Sequence, residues 1–284
     1  MKDFEAKLAV LELDEIAKAE VRAFVGRNAE RLDALANEAY QGDIPDFPIC
    51  KLKPLSRLAV LIWKLEEIWQ KYQAAGIERK VFVDSASDIA LRTRIYYEKT
   101  GKVGLSKDDC IWLRHLVNGQ IFKLGVLQFQ PFQMLYLDED DKGESWFVYV
   151  DGIKERLPEG SPVVNVHIQK GADLSPEKVA NAFNKAGAFF RKHFPEMQIE
   201  AFVCFSWLLD PFLKSILPAE SRIVQFGSIF EIIGWAKDNN QAVERIFGKR
   251  WRKKSDFPQD TSLQKAALRH LKDLQYTCGI IWID

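Results

Sequence analysis

Residues 163–210, VVNVHIQKGADLSPEKVANAFNKAGAFFRKHFPEMQIEAFVCFSWLLD, decide the reading of this chain. They spell a strand (VVNVHI, 163–168), a loop (QKGADLS), a helix opened by Ser175-Pro176, and a returning strand (AFVCFSWLLD, 201–210). The helix carries Val179, Ala182, Phe183, Ala186 and Phe190 on one face, the period of a helix packed on a sheet. A right-handed crossover makes such strands parallel and places their C-terminal ends beside the helix N-terminus, where open α/β sheets take ligands. His167, Cys204 and Ser206 fall at that edge.

Outward from this unit the period differs on the two sides. Before residue 119 the chain reads as helices. Leu55, Leu58, Ile62, Leu65, Trp69 and Tyr72 form one apolar stripe on a helix starting at Pro54. Ile16, Val21, Phe24, Val25, Leu32 and Leu35 form a looser one. Ser85-Ala86-Ser87-Asp88 and Ser106-Lys107-Asp108-Asp109 each read as an acidic capping box opening a helix, and the second helix stops at Asn118-Gly119. Segment 41–54, with its three prolines, reads as a loop. After residue 119 the period shortens to two, with Leu127 and Phe129 alternating against Gln128 and Gln130. DEDDKGE (138–144) is the expected hairpin turn and SWFVYV (145–150) the returning strand. A short helix after Pro211, a strand through 222–233, helices near 240–247 and 262–274, and a terminal strand TCGIIWID complete the order. The expectation is an α/β (α+β) chain: a helical domain over 1–118, then a mixed-sheet domain over 119–284 with helices on its faces.

Composition narrows the partners. The 284 residues are 47% apolar and 28% charged, with forty Lys plus Arg against forty Asp plus Glu. Zero net charge disfavours nucleic acid and anionic membranes as partners. No apolar run reaches the length of a bilayer span, and the N-terminus MKDFEAKLAVLELDE is unlike a secretory signal. The four cysteines are scattered without a CxxC pair, so neither a disulfide framework nor a metal site is expected, and a reducing cytoplasm is the natural setting.

Alternation places Asn165 and His167 on one strand face and Val164, Val166 and Ile168 on the other, while Phe202, Cys204, Ser206 and Leu208 share a face of the returning strand. If the strands are neighbours, His167 approaches Cys204 or Ser206 and serves as a general base; otherwise it is a core histidine and Cys204 a small hydrophobe. Asp210 is the one further orienting candidate. Glu231 reads as a buried acid or an edge residue, and Trp63 and Trp69 as core. Lys249, Arg250, Arg252, Lys253 and Lys254 around Trp251 form the basic cluster.

The chain resembles a bacterial family that joins an N-terminal helical N-acyltransferase domain to a GNAT-like C-terminal domain. The resemblance spans nearly the whole chain, through TGKVGL (100–105), WLRHLVNGQIFKLGVLQFQ (112–130), NVHIQKGADLSPEKV (165–179), CFSWLLDPFLKSILPAESRIVQF (204–226) and DTSLQKAALRHL (260–271). It implies that acyl-CoA or acetyl-CoA, without a metal, donates an acyl group to a small amine acceptor. The donor's pantetheine would lie in a splay between two parallel strands, and its pyrophosphate on the loop before the next helix. That loop supplies Gln169, Lys170, Gly171, Ala172 and Ser175 as the expected cofactor-binding residues. It departs from the usual Q/R-x-x-G-x-G/A pattern in having a single, displaced glycine, and Asp173 brings a negative charge that Lys170 would offset. For that transfer the strand alternation offers His167 for the proton, assisted by Ser206 or Cys204. The alternative is a non-catalytic GNAT-like ligand-binding or interaction protein that has lost the phosphate loop.

Overall fold

The computed structural model describes residues 2–138, 146–249, 251 and 253–283. The chain divides into two compact units, Met1–Lys123 and Leu124–Asp284.

The first unit is built from helices α1 (Lys2–Val10), α2 (Glu15–Glu38), α3 (Pro48–Lys51), α4 (Pro54–Trp63), α5 (Leu65–Ala74), α6 (Arg79–Thr100) and α7 (Lys107–Val117). Helix α2 buries Ala17, Val21, Val25, Leu32 and Ala36, so Ile16, expected on its apolar stripe, is 55% exposed instead. The stripe from Leu55 to Tyr72 is carried by two helices rather than one. The break falls at Lys64, a buried residue whose ammonium donates to the Ala36 carbonyl at 3.0 Å. Trp63 and Trp69 are half-buried rather than core.

The capping box expected at Ser106 is present, with Asp109 N donating to Ser106 Oγ at 3.0 Å and Ser106 N to Asp109 Oδ2 at 3.0 Å. The one expected at Ser85 is not. Helix α6 starts six residues upstream, and Ser85 and Ser87 turn their hydroxyls back onto the Val81 and Asp84 carbonyls at 2.7 and 2.6 Å. Such back-bonding lets serine sit inside a helix, so a cap-like spelling does not force a start.

Among the described residues a seven-stranded sheet starts at Phe122, at the end of the first unit, and otherwise belongs to the second. From Phe122 onward the elements are β1 (Phe122–Leu124), β2 (Leu127–Gln133), β3 (Val148–Tyr149), α8 (Ile153–Arg156), β4 (Pro162–His167), α9 (Pro176–His193), β5 (Ala201–Phe205), α10 (Leu213–Ile216), α11 (Arg222–Ser228), β6 (Glu231–Ala236), α12 (Asn240–Phe247), α13 (Ser262–Arg269) and β7 (Tyr276–Trp282). The strand order is β1-β2-β4-β5-β7-β6-β3. Strands β4 and β5 are parallel, as the βαβ reading requires, while β7 runs antiparallel to both β5 and β6.

Three elements differ from expectation, the first being the strand expected over 201–210, which ends at Phe205 and gives way to a 3₁₀ turn over Trp207–Leu209. Residues 222–228 form α11, and the strand begins only at Glu231. The β-branched run does not prevail because Gly227 lets the helix lie directly on the backbone of 207–209, where an added Cβ would stand 2.9 Å from the Leu208 carbonyl oxygen. Among the described residues 146–150, the expected strand is reduced to Val148–Tyr149, which pairs with β6. Hydrogen bonds from this segment back to residues 137 and 138, Trp146 N to Asp138 O at 2.9 Å and Phe147 N to Leu137 O at 3.0 Å, precede that strand. Of the expected turn (138–144), residues 139–144 lie outside the described residues, as does residue 145 at the start of the expected strand.

The sheet is packed on both sides. On one, Phe129 of β2, Phe202 of β5 and Phe183 of α9 meet edge to face at centroid separations of 5.1–5.8 Å. On the other, Val163, Ala201, Val203, Cys278 and Ile280 join Met134, Tyr136, Phe147, Ile153 and Leu157 in an aromatic-rich cluster. Gly234 of β6 keeps that cluster closed, because a Cβ there would stand 2.5 Å from the Tyr149 ring.

Candidate functional site at the mouth of the parallel strands

The ladder between β4 and β5 is short. It runs Val163↔Ala201, Val164↔Phe202, Asn165↔Val203, and ends two residues before either strand does. Each strand meanwhile stays paired on its other edge: β4 to β2 through Gln128↔His167, and β5 to β7 through Phe205↔Cys278. The sheet therefore opens between Val166–His167 and Cys204–Phe205. Beyond Asn165↔Val203 the two strands are no longer paired with each other, at the C-terminal ends where open sheets bind ligands.

Register then sorts the side chains, since partners across a ladder point to the same face. Asn165 pairs with Val203, so Asn165 and His167 lie on the face of the aromatic-rich cluster. Phe202 lies on the α9 face, and Cys204, two residues on, shares it. The expectation that His167 approaches Cys204 is thus overturned: two parallel strands in this register put them on opposite faces. Cys204 is wholly buried and burial pushes its thiol up, away from the thiolate needed for chemistry. Ser206 continues the alternation in extended backbone, φ −160°, ψ 143°, and also falls on the α9 face. Its Oγ accepts from Leu208 N at 3.2 Å, and its N–H donates to the Thr277 carbonyl at 2.8 Å, so it opens a 3₁₀ turn.

What His167 meets instead is a row of amides. Its Nε2 lies 2.9 Å from Gln130 Oε1. Gln128 is its register partner on β2, and Gln130 is the partner of Asn165, so all four share one face. With Gln130 Oε1 as the acceptor, His167 Nε2 is the donor in this contact, which sets the direction of the ring. The alternation of Gln128 and Gln130 against Leu127 and Phe129 is visible in the sequence. Their place beside His167 depends on the β2–β4 register, which no local signal spells.

The loop from Gln169 to Ser175 closes the same end. Ala172 N donates to Gln169 O at 3.1 Å around Gly171, whose φ of +81° only glycine adopts freely. An added Cβ at Gly171 would find nothing within 4 Å, so the turn presents bare backbone to open space. Ser175 stands at the N-cap of α9 without a capping bond, and its Oγ is buried with no partner. A helix N-terminus with an unspent buried hydroxyl is suited to an anion.

Asp173 does not face a ligand as a bare charge. It accepts from Ser175 N at 3.1 Å and pairs with Lys178 at 2.6 Å and Arg222 at 2.8 Å. The Lys178 hydrogen bond, then the Ser175 N–H and the Arg222 charge, hold its carboxyl down to about 2. It ties the loop to α9 and α11 and draws two cations to the helix N-terminus. Because the folded carboxyl is more acidic than an unfolded one near 4, the stabilisation it gives is present above that value and is lost as pH falls toward about 2. Asp173→Asn is therefore expected to lower the Tm at neutral pH by an amount that vanishes near pH 2. A difference independent of pH between 2 and 7 would remove the ion pairs from the loop's support.

Other residues singled out from the sequence have structural roles. Asp210 accepts from Phe212 N at 3.0 Å and Gln275 N at 2.8 Å, tying the turn after β5 to the start of β7 rather than orienting His167. Glu231 is a surface residue, bound to Arg156 at 2.9 Å and to Trp282 Nε1 at 2.8 Å. In the basic cluster Lys249 sits over the Trp251 ring at 3.9 Å, and Arg250 and Arg252 lie outside the described residues. Among the described residues no group of three His, Cys, Asp or Glu is placed to hold a metal, and no helix is long and apolar enough to cross a membrane.

Comparison with known proteins bears on both units. The family model of the N-acyltransferase N-terminal domain matches residues 2–119, and that of the GNAT-like C-terminal domain matches residues 121–281. Among curated proteins none matches in sequence. Among solved structures, an acyltransferase in complex with decanoyl-CoA and teicoplanin superposes with a TM-score of 0.75 at 18% identity, covering 100% of this chain and 88% of that one. An acyltransferase in complex with decanoyl-CoA gives 0.73 at 22% identity, over 100% and 88%. A mutant acyltransferase in complex with octanoyl-CoA gives 0.75 at 19% identity, with the same coverage. At these identities the likeness is one of fold.

Proposed function

This chain belongs to the family that joins an N-acyltransferase N-terminal domain to a GNAT-like C-terminal domain, and on that premise we propose that it transfers an acyl group from acyl-CoA to a small amine. The observation that carries the reading is the split of the parallel ladder after Asn165↔Val203, directly beside His167 and the 169–175 loop. Medium-chain donors are favoured by the folds it resembles, which were solved with decanoyl-CoA and octanoyl-CoA.

The residues present fit such a donor. The buried Ser175 hydroxyl and the N–H groups opening α9 would hold the pyrophosphate, with Lys178 and Arg222 adding charge and Gly171 allowing close backbone approach. Gln169, Lys170 and Ala172 form the rest of that turn. When bound, acyl-CoA supplies a thioester whose C–S bond breaks as the C–N bond forms.

The chain's own part is to align and to move a proton. A protonated amine is no nucleophile, so a base must take its proton. His167 stands on the face away from α9, at the open strand end, with its ring direction set by Gln130. The proton passes from the amine to the imidazole, and the departing sulfur leaves as thiol once reprotonated. A backbone N–H at the split would polarise the acyl carbonyl.

One observation favours a second reading, a binding protein without catalysis: Asp173 already takes the Ser175 N–H that a pyrophosphate would use. Incubation with octanoyl-CoA and a panel of primary amines, followed by free-thiol release and mass analysis of the amine, separates the two. Amide formation with stoichiometric thiol release is expected. Saturable binding of octanoyl-CoA without release would establish the second reading.

A further inference from the structure

The side-chain amide of Gln128 takes no part in the transfer chemistry. The residue is 1% exposed, yet its Nε2 has no hydrogen-bond partner. A buried donor left unpaired carries its full desolvation cost, and a partner arriving from outside the chain would relieve it. Its position is specific. Gln128 is the direct register partner of His167 and shares its face, with Gln130 and Asn165 as the next pair along the ladder.

This arrangement divides labour within the row. Gln130 spends its amide oxygen on the His167 ring. Gln128 keeps an N–H for something else, and an N–H requires an acceptor atom, an oxygen in most small molecules. Directly opposed residues on an antiparallel ladder hold their Cβ atoms about 4.5–5.5 Å apart. A molecule that gives its nitrogen proton to His167 therefore brings its neighbouring atoms under Gln128. Resting on the acyl-transfer reading above, we infer that Gln128 recognises the acceptor by donating to an oxygen beside the reacting nitrogen, so that the acceptor class is a vicinal amino alcohol rather than a simple alkylamine.

Recognition by a buried donor discriminates strongly. An acceptor lacking the oxygen leaves the amide unpaired in the complex as well, and sites built on such a bond reject the deoxy analogue by orders of magnitude more than a lost methylene would. The loss falls on the acceptor alone, since the donor's pyrophosphate loop lies at the α9 N-terminus.

The test uses the full chain, octanoyl-CoA as donor, and two amines that differ by one hydroxyl, 2-amino-1-phenylethanol and 2-phenylethylamine. The wild-type protein is expected to favour the amino alcohol by about tenfold or more in kcat/KM. Gln128→Met, apolar and of similar length, should bring that ratio close to one by raising KM for the amino alcohol, with kcat and octanoyl-CoA binding little changed. Its Tm should equal or exceed the wild-type value, because no native bond is lost. Absence of a wild-type preference, equal loss with both amines, or a Tm lowered by more than about 5 °C would overturn the inference. A wild-type protein that acylates other primary amines but neither of these two overturns it alone, and one that binds octanoyl-CoA without releasing thiol to any amine removes the acyl-transfer reading as well. One that binds no octanoyl-CoA removes the acyl-transfer reading with it.

Discussion

His167→Gln is expected to lower acyl-transfer turnover by about 10²–10⁴-fold, the usual contribution of a positioned general base, while octanoyl-CoA binding and the fold are retained. Glutamine offers the same strand a polar side chain that can still bond Gln130, so the face need not rearrange. It cannot take a proton near neutral pH, so the chemical step alone should suffer. If His167 served only the core, the change would leave turnover intact and cost about 1–3 kcal/mol of stability through unpaired polar groups. Melting curves measured beside turnover distinguish these outcomes. A folded, fully active His167→Gln protein would exclude the imidazole from the reaction.

The largest expected loss of stability comes from Phe129→Ala. Phe129 is fully buried and lies where β2, β5 and α9 converge, in edge-to-face contact with Phe183 at 5.7 Å and Phe202 at 5.8 Å. Truncation removes both ring contacts and leaves a cavity that three rigid elements cannot collapse to fill, a change that costs about 3–5 kcal/mol. Phe129 also neighbours Gln128 and Gln130 on β2, so the same substitution should loosen the register that sets the amide row against His167. Denaturant unfolding measures it directly. A loss below about 1 kcal/mol would mean that the α9 face is not packed as described.

Legibility in the amino-acid sequence differs from element to element. The βαβ unit is legible in its first strand, its helix and the start of its second strand: alternation in VVNVHI, the Ser175-Pro176 helix start and the apolar stripe of α9 each have a local cause. The second strand ends at Phe205 rather than Asp210. The family follows from ordered motifs over the same stretch. Long-range register is not legible. Whether His167 faces Cys204 or Gln128 turns on how β5 slides along β4 and β2 along β4, and every one-residue slip exchanges the faces. Alternation therefore points to the strand end that splits, but it gives His167 the wrong companions. Asp173 takes on a different role in the fold for a related reason: its partners Lys178 and Arg222 lie on two helices, and the sequence pattern assigns Arg222 to a strand. The break at Lys64 and the helical course of 222–228 likewise arise from tertiary contacts, a buried ammonium in one case and a glycine against backbone in the other.

That the split between β4 and β5, together with the 169–175 loop, receives an acyl-CoA is tested most directly by titration calorimetry of the full chain with octanoyl-CoA. Saturable one-to-one binding is expected, weakened at least about tenfold (roughly 1.4 kcal/mol) by Gly171→Val, which strains a backbone held at φ +81° without adding a clash. No heat of binding at millimolar octanoyl-CoA, or equal affinity in the Gly171→Val protein, would contradict it.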